Sequence, residues 1–166
     1  MAALSRLLDL SGIGSGRLWL RWVSSAEGKL FAEYAGEVTR AIEELGPFDP
    51  GAWRLPLAAV KRVLADTQVR WLTGKERDLE EAGNVYGEKI SPERYRELLD
   101  QTLERSLAKA LVQESLSGDG QKVREIAEKT GLAVPVVSAC LVELEQADLA
   151  AIEGYEDRHP RFVAAA

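Results

Sequence analysis

The run Lys122-Val123-Arg124-Glu125-Ile126-Ala127-Glu128-Lys129, the tripeptide Thr130-Gly131-Leu132 and the run Val134-Pro135-Val136-Val137-Ser138-Ala139-Cys140-Leu141-Val142-Glu143-Leu144-Glu145-Gln146 decide the fold. Val123, Ile126 and Ala127 share one side of a helix over 122–129, and Val137, Leu141 and Leu144 share one side of a second helix over 134–146. Gly131 marks a tight turn between them. Two short β-type runs follow, 149–154 and 161–164, around a polar tip at Glu156-Asp157-Arg158-His159-Pro160. Helix, tight turn, helix and a two-stranded wing are the parts of a winged helix.

Working back toward the N-terminus, the chain reads as mainly α with small β elements. Ser91-Pro92 opens the longest helical pattern, with Ser as N-cap and Pro at the first helical position. Its apolar face is Tyr95, Leu98, Leu99, Leu103, Leu107, Ala110 and Leu111. Gly83-Asn84-Val85-Tyr86-Gly87 is a loop. Leu57, Val60 and Leu64 form one helical stripe, and Val69, Leu72, Glu76 and Leu79 a less regular one interrupted by Gly74. The first residues read as helix, strand, helix. Leu4, Leu7 and Leu8 start a short helix that ends in the turn Gly12–Gly16. Arg17-Leu18-Trp19-Leu20-Arg21-Trp22-Val23 alternates like a strand, with Leu18, Leu20 and Trp22 on one face. Ser24-Ser25-Ala26-Glu27 has the spacing of a capping box. Behind it, Leu30, Phe31, Tyr34, Val38, Ile42 and Leu45 recur at helical spacing, and Gly46-Pro47 ends the helix. Trp22 and this helix are expected to pack as one unit, with Phe31 in the core. Punctuation divides the chain into 1–47, 48–117 (the helical middle) and 118–166 (the winged helix), the last opened by Ser117-Gly118-Asp119-Gly120.

Composition narrows the function. The 166 residues carry 21 Lys+Arg against 27 Asp+Glu, so there is no cationic surplus to neutralise phosphates. One Cys and one His exclude an intrachain disulfide, a Cys/His zinc site and a four-thiolate cluster. His159, beside Pro160, reads as a surface or turn residue, and Cys140 as a buried structural thiol. Gly12-x-Gly14-x-Gly16 follows a helix and precedes a strand, the reverse of a phosphate-binding loop. No acid–base pair stands out for catalysis, and the expectation is that the chain is not an enzyme by itself. No apolar run approaches the ~18 residues of a membrane span, and no signal peptide is visible, so a cytoplasmic protein without membrane insertion is expected.

The second helix of the winged module would have to read DNA, yet before Gln146 its polar residues are Ser138, Glu143 and Glu145. Residues 118–166 hold five cations against nine anions. Groove reading needs donors for bases and cations for phosphates, so no nucleic acid is expected as a partner. An apolar helix end suits protein docking. The candidate interface residues are Trp19 and Trp22, since Trp is favoured at interface hot spots, and Val136 and Val137.

Leu4-Ser5-Arg6-Leu7-Leu8, Gly12-Ile13, the stretch Arg17-Leu18-Trp19-Leu20-Arg21-Trp22-Val23-Ser24-Ser25-Ala26-Glu27-Gly28-Lys29-Leu30-Phe31-Ala32 and Ile42-Glu43-Glu44-Leu45-Gly46-Pro47 resemble the C-terminal part of the methyl-viologen-reducing hydrogenase delta subunit family. Arg70-Trp71-Leu72-x-Gly74-Lys75-Glu76, Gly83-Asn84-Val85-Tyr86-Gly87-Glu88 and the winged module resemble the extension of its longer members. The resemblance implies a place among small iron–sulfur proteins that pass electrons between a hydrogenase or other dehydrogenase and the flavin-bearing subunit of heterodisulfide reductase complexes. The family's cluster-binding cysteines lie in a half that has no counterpart here, so no cofactor-binding or metal residue carries over. The expectation is a non-catalytic structural or adaptor subunit of a heterodisulfide-reductase-like or hydrogenase-linked electron-transfer complex, whose iron–sulfur and flavin cofactors are carried by partner redox subunits. The alternatives are a winged-helix DNA-binding transcription regulator and a cluster protein completed by a partner's ligands, with Cys140 supplying one.

Overall fold

A computed structural model of the chain describes residues 1–83, 85–116 and 119–165. Ser117 and Gly118, read above as the opening of the third region, and Asn84 of the predicted loop lie outside the described residues. The protein is mainly helical with a small two-stranded antiparallel sheet near the C-terminus. It divides into two compact units, Met1–Arg54 and Leu55–Ala166.

In the first unit, α1 spans Ala2–Leu10 and ends in a turn where Gly12 and Gly14 take φ of 77° and 81°. A short 3-10 turn, Ser15–Arg17, follows. The predicted strand is not formed: residues 18–23 take no regular secondary structure and pair with no other strand. Period-two alternation marks a chain suited to a sheet, but a ladder needs a second backbone, and this unit supplies none. α2 spans Gly28–Leu45. It starts later than the capping-box spacing implies. The Ser24 N–H donates to Glu27 Oε2 at 2.7 Å as expected, whereas the Ser24 hydroxyl reaches only the Ala26 N–H, at 3.4 Å. Gly46, with φ of 67°, caps its C-terminus. The Arg17 guanidinium adds a charge-assisted cap, donating to the carbonyls of Leu45 at 3.0 Å and Gly46 at 2.7 Å. The expected packed core around Trp22 and Phe31 is absent. Trp22 is 85% exposed, Phe31 is 63% exposed, and α2 buries no residue.

In the second unit, α3 spans Arg54–Ala65 and buries Ala59, Val60 and Val63. Leu64, expected in the stripe with Val60, is exposed. The helix is rotated so that Val63 takes the inward place. α4, Thr67–Gly74, is capped by Asp66, whose carboxylate accepts from the Val69 N–H at 3.0 Å, and it stops at Gly74. One turn of π-helix, Asp78–Ala82, follows. α5 spans Pro92–Ser115, and the Ser91 hydroxyl accepts from the Arg94 N–H at 3.2 Å, the cap read from the sequence. Tyr95 at its start is buried and its hydroxyl donates to the Leu72 carbonyl at 3.2 Å.

The end of α5 opens the winged helix. α6, Val123–Thr130, begins with the Lys122 N–H donating to Glu125 Oε2 at 2.8 Å. It ends at Gly131 in the left-handed region, where a Cβ would be strained. α7 occupies Val134–Gln146. β1, Ala150–Glu156, and β2, His159–Ala164, form the wing, with Ala150 opposite Ala164 and Glu156 opposite His159. The strands run further into the predicted tip than the sequence suggests. Asp157 and Arg158 alone make the turn, both at positive φ (50° and 66°), the geometry that matches strand twist in a two-residue hairpin. Gln121 exchanges both backbone hydrogen bonds with Phe162, each at 2.9 Å, adding a one-residue third strand. One core unites these parts: Val112 and Leu116 of the α5 end, Ile126, Val137, Leu141, Leu144 and Phe162.

Candidate docking interface

α7 buries Val137, Cys140, Leu141 and Leu144. That phase turns Pro135, Ser138, Ala139 and Val142 outward, a stripe at spacings of three and four, with Val134 and Val136 on either side of it. Val142 is 52% exposed and Val136 40% exposed. The stripe carries no charge. It faces solvent where a winged helix would present its reading helix to a groove, and it offers one hydroxyl, Ser138, for hydrogen bonding.

Beside the stripe, Ala108 of α5 and Pro135, Val136, Ala139 and Cys140 of α7 line a groove of about 480 Å³ whose floor is mostly apolar and whose lining also includes Glu104, Arg105 and Glu143. Glu143 bounds it and is held by α5, accepting from Arg105 at 2.5 Å with Lys109 Nζ at 3.8 Å. A second concavity of about 430 Å³ lies between α6, α7 and the wing, lined by Val123, Val134, Ser138, His159 and Pro160 among others. His159 is exposed at the first position of β2, a surface residue as its neighbourhood suggested.

Three of the module's five cations, Lys122, Lys129 and Arg161, are engaged within its own structure. Lys122 Nζ lies 3.0 Å from Glu156, and Arg161 donates to Glu156 and to the Gly120 carbonyl. Hydrogen bonds from Lys122 and Arg161 hold the Glu156 carboxyl below the usual range, and Glu156 in turn raises Arg161. Lys129 Nζ donates to the Ser115 carbonyl at 2.7 Å, a bond that closes the end of α5 onto α6. Burial, reinforced by the Glu143 charge, pushes the Cys140 thiol up, so it stays protonated at neutral pH. Among the described residues, no group of three or more His, Cys, Asp or Glu could hold a metal ion, and no helix is long and apolar enough to cross a membrane.

The four candidate interface residues separate. Val136 is available on α7. Val137 is completely buried in the winged-helix core and cannot meet a partner while the fold stands. The two are neighbours in sequence, and about 100° of helical rotation divides them. Trp22 is the most exposed tryptophan side chain of the first unit, while Trp19 is half-buried and its indole N–H donates to the Gly16 carbonyl at 2.9 Å. Pro135, Ala139 and Val142 complete the face and were not singled out from the sequence. Their 3/4 spacing was the signal, overshadowed by the inward stripe one step away. Compared with known proteins, the chain matches no family model, no curated protein and no solved structure.

Proposed function

We propose that this chain is a non-catalytic adaptor whose winged helix holds a protein partner. The observation that carries the reading is the outer face of α7. A groove-reading helix needs donors and cations, and this one presents Pro135, Val136, Ala139 and Val142 beside a mostly apolar groove. Lys122 and Arg161 are already paired with Glu156, and the module's nine anions outnumber its five cations, a balance that disfavours phosphate. The partner class rests on the resemblance of residues 4–47: iron–sulfur and flavin-bearing subunits of a heterodisulfide-reductase-like or hydrogenase-linked complex in the cytoplasm, with the electron-carrying cofactors on those subunits.

The test is affinity purification of the tagged full chain from its native host, with mass spectrometry and metal and flavin analysis of what co-elutes. Val136→Glu combined with Val142→Glu should release redox subunits that the unaltered chain retains. Retention of the same subunits by the double variant refutes α7 as the docking face. A titration of labelled DNA with the full chain separates the regulator reading: salt-sensitive, sequence-specific binding would replace the adaptor by a transcription factor.

A further inference from the structure

We infer that the concavity between α6, α7 and the wing is a binding site for a small carboxylate with an apolar body, of the aryl- or alkyl-acetic acid class. The inference goes beyond the adaptor reading and does not rest on it.

Shape comes first. About 430 Å³ is bounded by three elements: the start of α6, the N-terminal half of α7 and the first two residues of β2. Small-molecule sites begin at roughly 300 Å³ and join mostly apolar walls to a few convergent polar groups. The walls here are of that kind. Val123, Val134 and Pro160 supply apolar surface, and one polar side chain comes from each element: Arg124 from α6, Ser138 from α7 and His159 from β2.

Those three side chains have no partner among the described residues, which sets them apart from comparable groups nearby. Lys122 and Arg161 are engaged by Glu156, and Lys129 by the Ser115 carbonyl. The Arg124 guanidinium makes no ion pair and no hydrogen bond. The hydroxyls of Thr102 and Thr130 donate to carbonyls four residues back in their own helices, at 2.7 Å each. The Ser138 hydroxyl does not, and is left to donate outward. The His159 imidazole stands opposite Glu156 across the hairpin, but that carboxylate is taken by Lys122 and Arg161.

The ligand class follows from the groups left over. A guanidinium only donates, and a hydroxyl and an imidazole each have a proton to give. Three donors set in apolar walls match an acceptor-rich head on an apolar body. A carboxylate fits the guanidinium fork and brings one charge. A phosphate fits less well. Glu125 also lines the concavity, one of its oxygens held by the Lys122 N–H at 2.8 Å, and its charge opposes a dianion. A free acid is the occupant, since a peptide segment would extend beyond a hollow of this volume.

The experiment is a titration of the isotope-labelled full chain with phenylacetate at constant ionic strength, read by amide-resolved NMR. Acetate and phenylacetamide are the controls for body and charge. The amides of Val123, Arg124, Ser138 and His159 should shift together and saturate with a Kd of about 1 mM or tighter. Acetate and phenylacetamide should each bind at least roughly tenfold more weakly. Arg124→Gln, with an unchanged circular dichroism spectrum, should weaken phenylacetate at least roughly tenfold. If that variant does not fold, His159→Ala decides in its place, with an expected loss of at least about threefold. Smaller losses than these, shifts that stay linear to about 10 mM, or saturation centred on other residues overturn the site. Each such failure leaves the adaptor reading standing, because that reading is decided by the redox subunits the chain retains and not by a small acid.

Discussion

Val136 and Val137 are adjacent, chemically identical and opposite in environment, which makes them a test of the winged helix and of its docking face together. Val137 is 0% exposed, packed in the core with Ile126, Leu141, Leu144 and Phe162. Val137→Glu loses about 1.5–2 kcal/mol of apolar transfer and buries a carboxylate with no cation in the cluster to pair it. The effective penalty for such a charge is several kcal/mol. The protein relieves part of it by protonating the group or by local opening, so the expected loss is about 4 kcal/mol or more at pH 7. The pH dependence has a definite sign. The introduced carboxyl has a folded-state pKa above its unfolded value, so the penalty is absent below about pH 4 and grows as pH rises through the raised value. Val136→Glu places the same group on the α7 surface, and the expected change is within about 1 kcal/mol at any pH. Urea unfolding followed by far-UV circular dichroism at pH 7 and pH 4 reads both. Equal losses at the two positions, or a loss under about 2 kcal/mol for Val137→Glu, would refute the placement of α7.

Three further outcomes follow from the same physics. Cys140, buried and with its thiol pushed up, should react with iodoacetamide far more slowly in the native chain than in urea; equal rates would contradict its burial. Glu156, held below the usual carboxylate range by Lys122 and Arg161, contributes stability that is present above its unfolded pKa and is lost as pH falls through the lower folded value. Melting temperature should therefore drop less on acidification in Glu156→Gln than in the unaltered chain, and identical acid profiles would count against the pairing. Phe31→Ala should change stability by less than about 1 kcal/mol in the free chain, since the ring is mostly in water; a loss of roughly 3 kcal/mol or more would restore it to a core.

Much of the second unit was legible because local chemistry and tertiary packing agree there. The Ser91-Pro92 start, the Gly131 stop and the bounds of α7 follow from caps, a left-handed glycine and an uninterrupted 3/4 pattern. The one-residue strand at Gln121 was not legible, because a single exchanged pair of hydrogen bonds leaves no periodicity. The turn at Asp157-Arg158 was blurred because it reaches positive φ without glycine or asparagine. In the first unit the pattern for residues 17–23 and for α2 reports which faces are apolar and says nothing of what covers them. The apolar spacing of Phe31 and Trp22 specifies readiness to be buried and not burial itself. The docking face was half legible: an apolar, cation-poor helix could be read, but the phase that divides Val136 from Val137 needed the packing of α7 on α5.

The length of α5 has a consequence for how the protein can be divided. Twenty-four helical residues make a rod of about 36 Å. At one end Tyr95 is tied to Leu72 of α4, and at the other Val112 and Leu116 belong to the same core as Ile126 and Leu141. A fragment cut just before Gln121 would take Val112 and Leu116 out of the core they share with Val137 and Leu144, and would lose the Ser115 carbonyl that both Gln121 and Lys129 grip. A cut at the Ser91 cap would keep the wing core but bare Tyr95, so a piece that keeps both ends of α5 tied includes α4 and begins no later than its Asp66 cap. Grafting that piece onto an unrelated carrier would also transplant a stiff spacer, so the α7 face would arrive at a set distance from its attachment point.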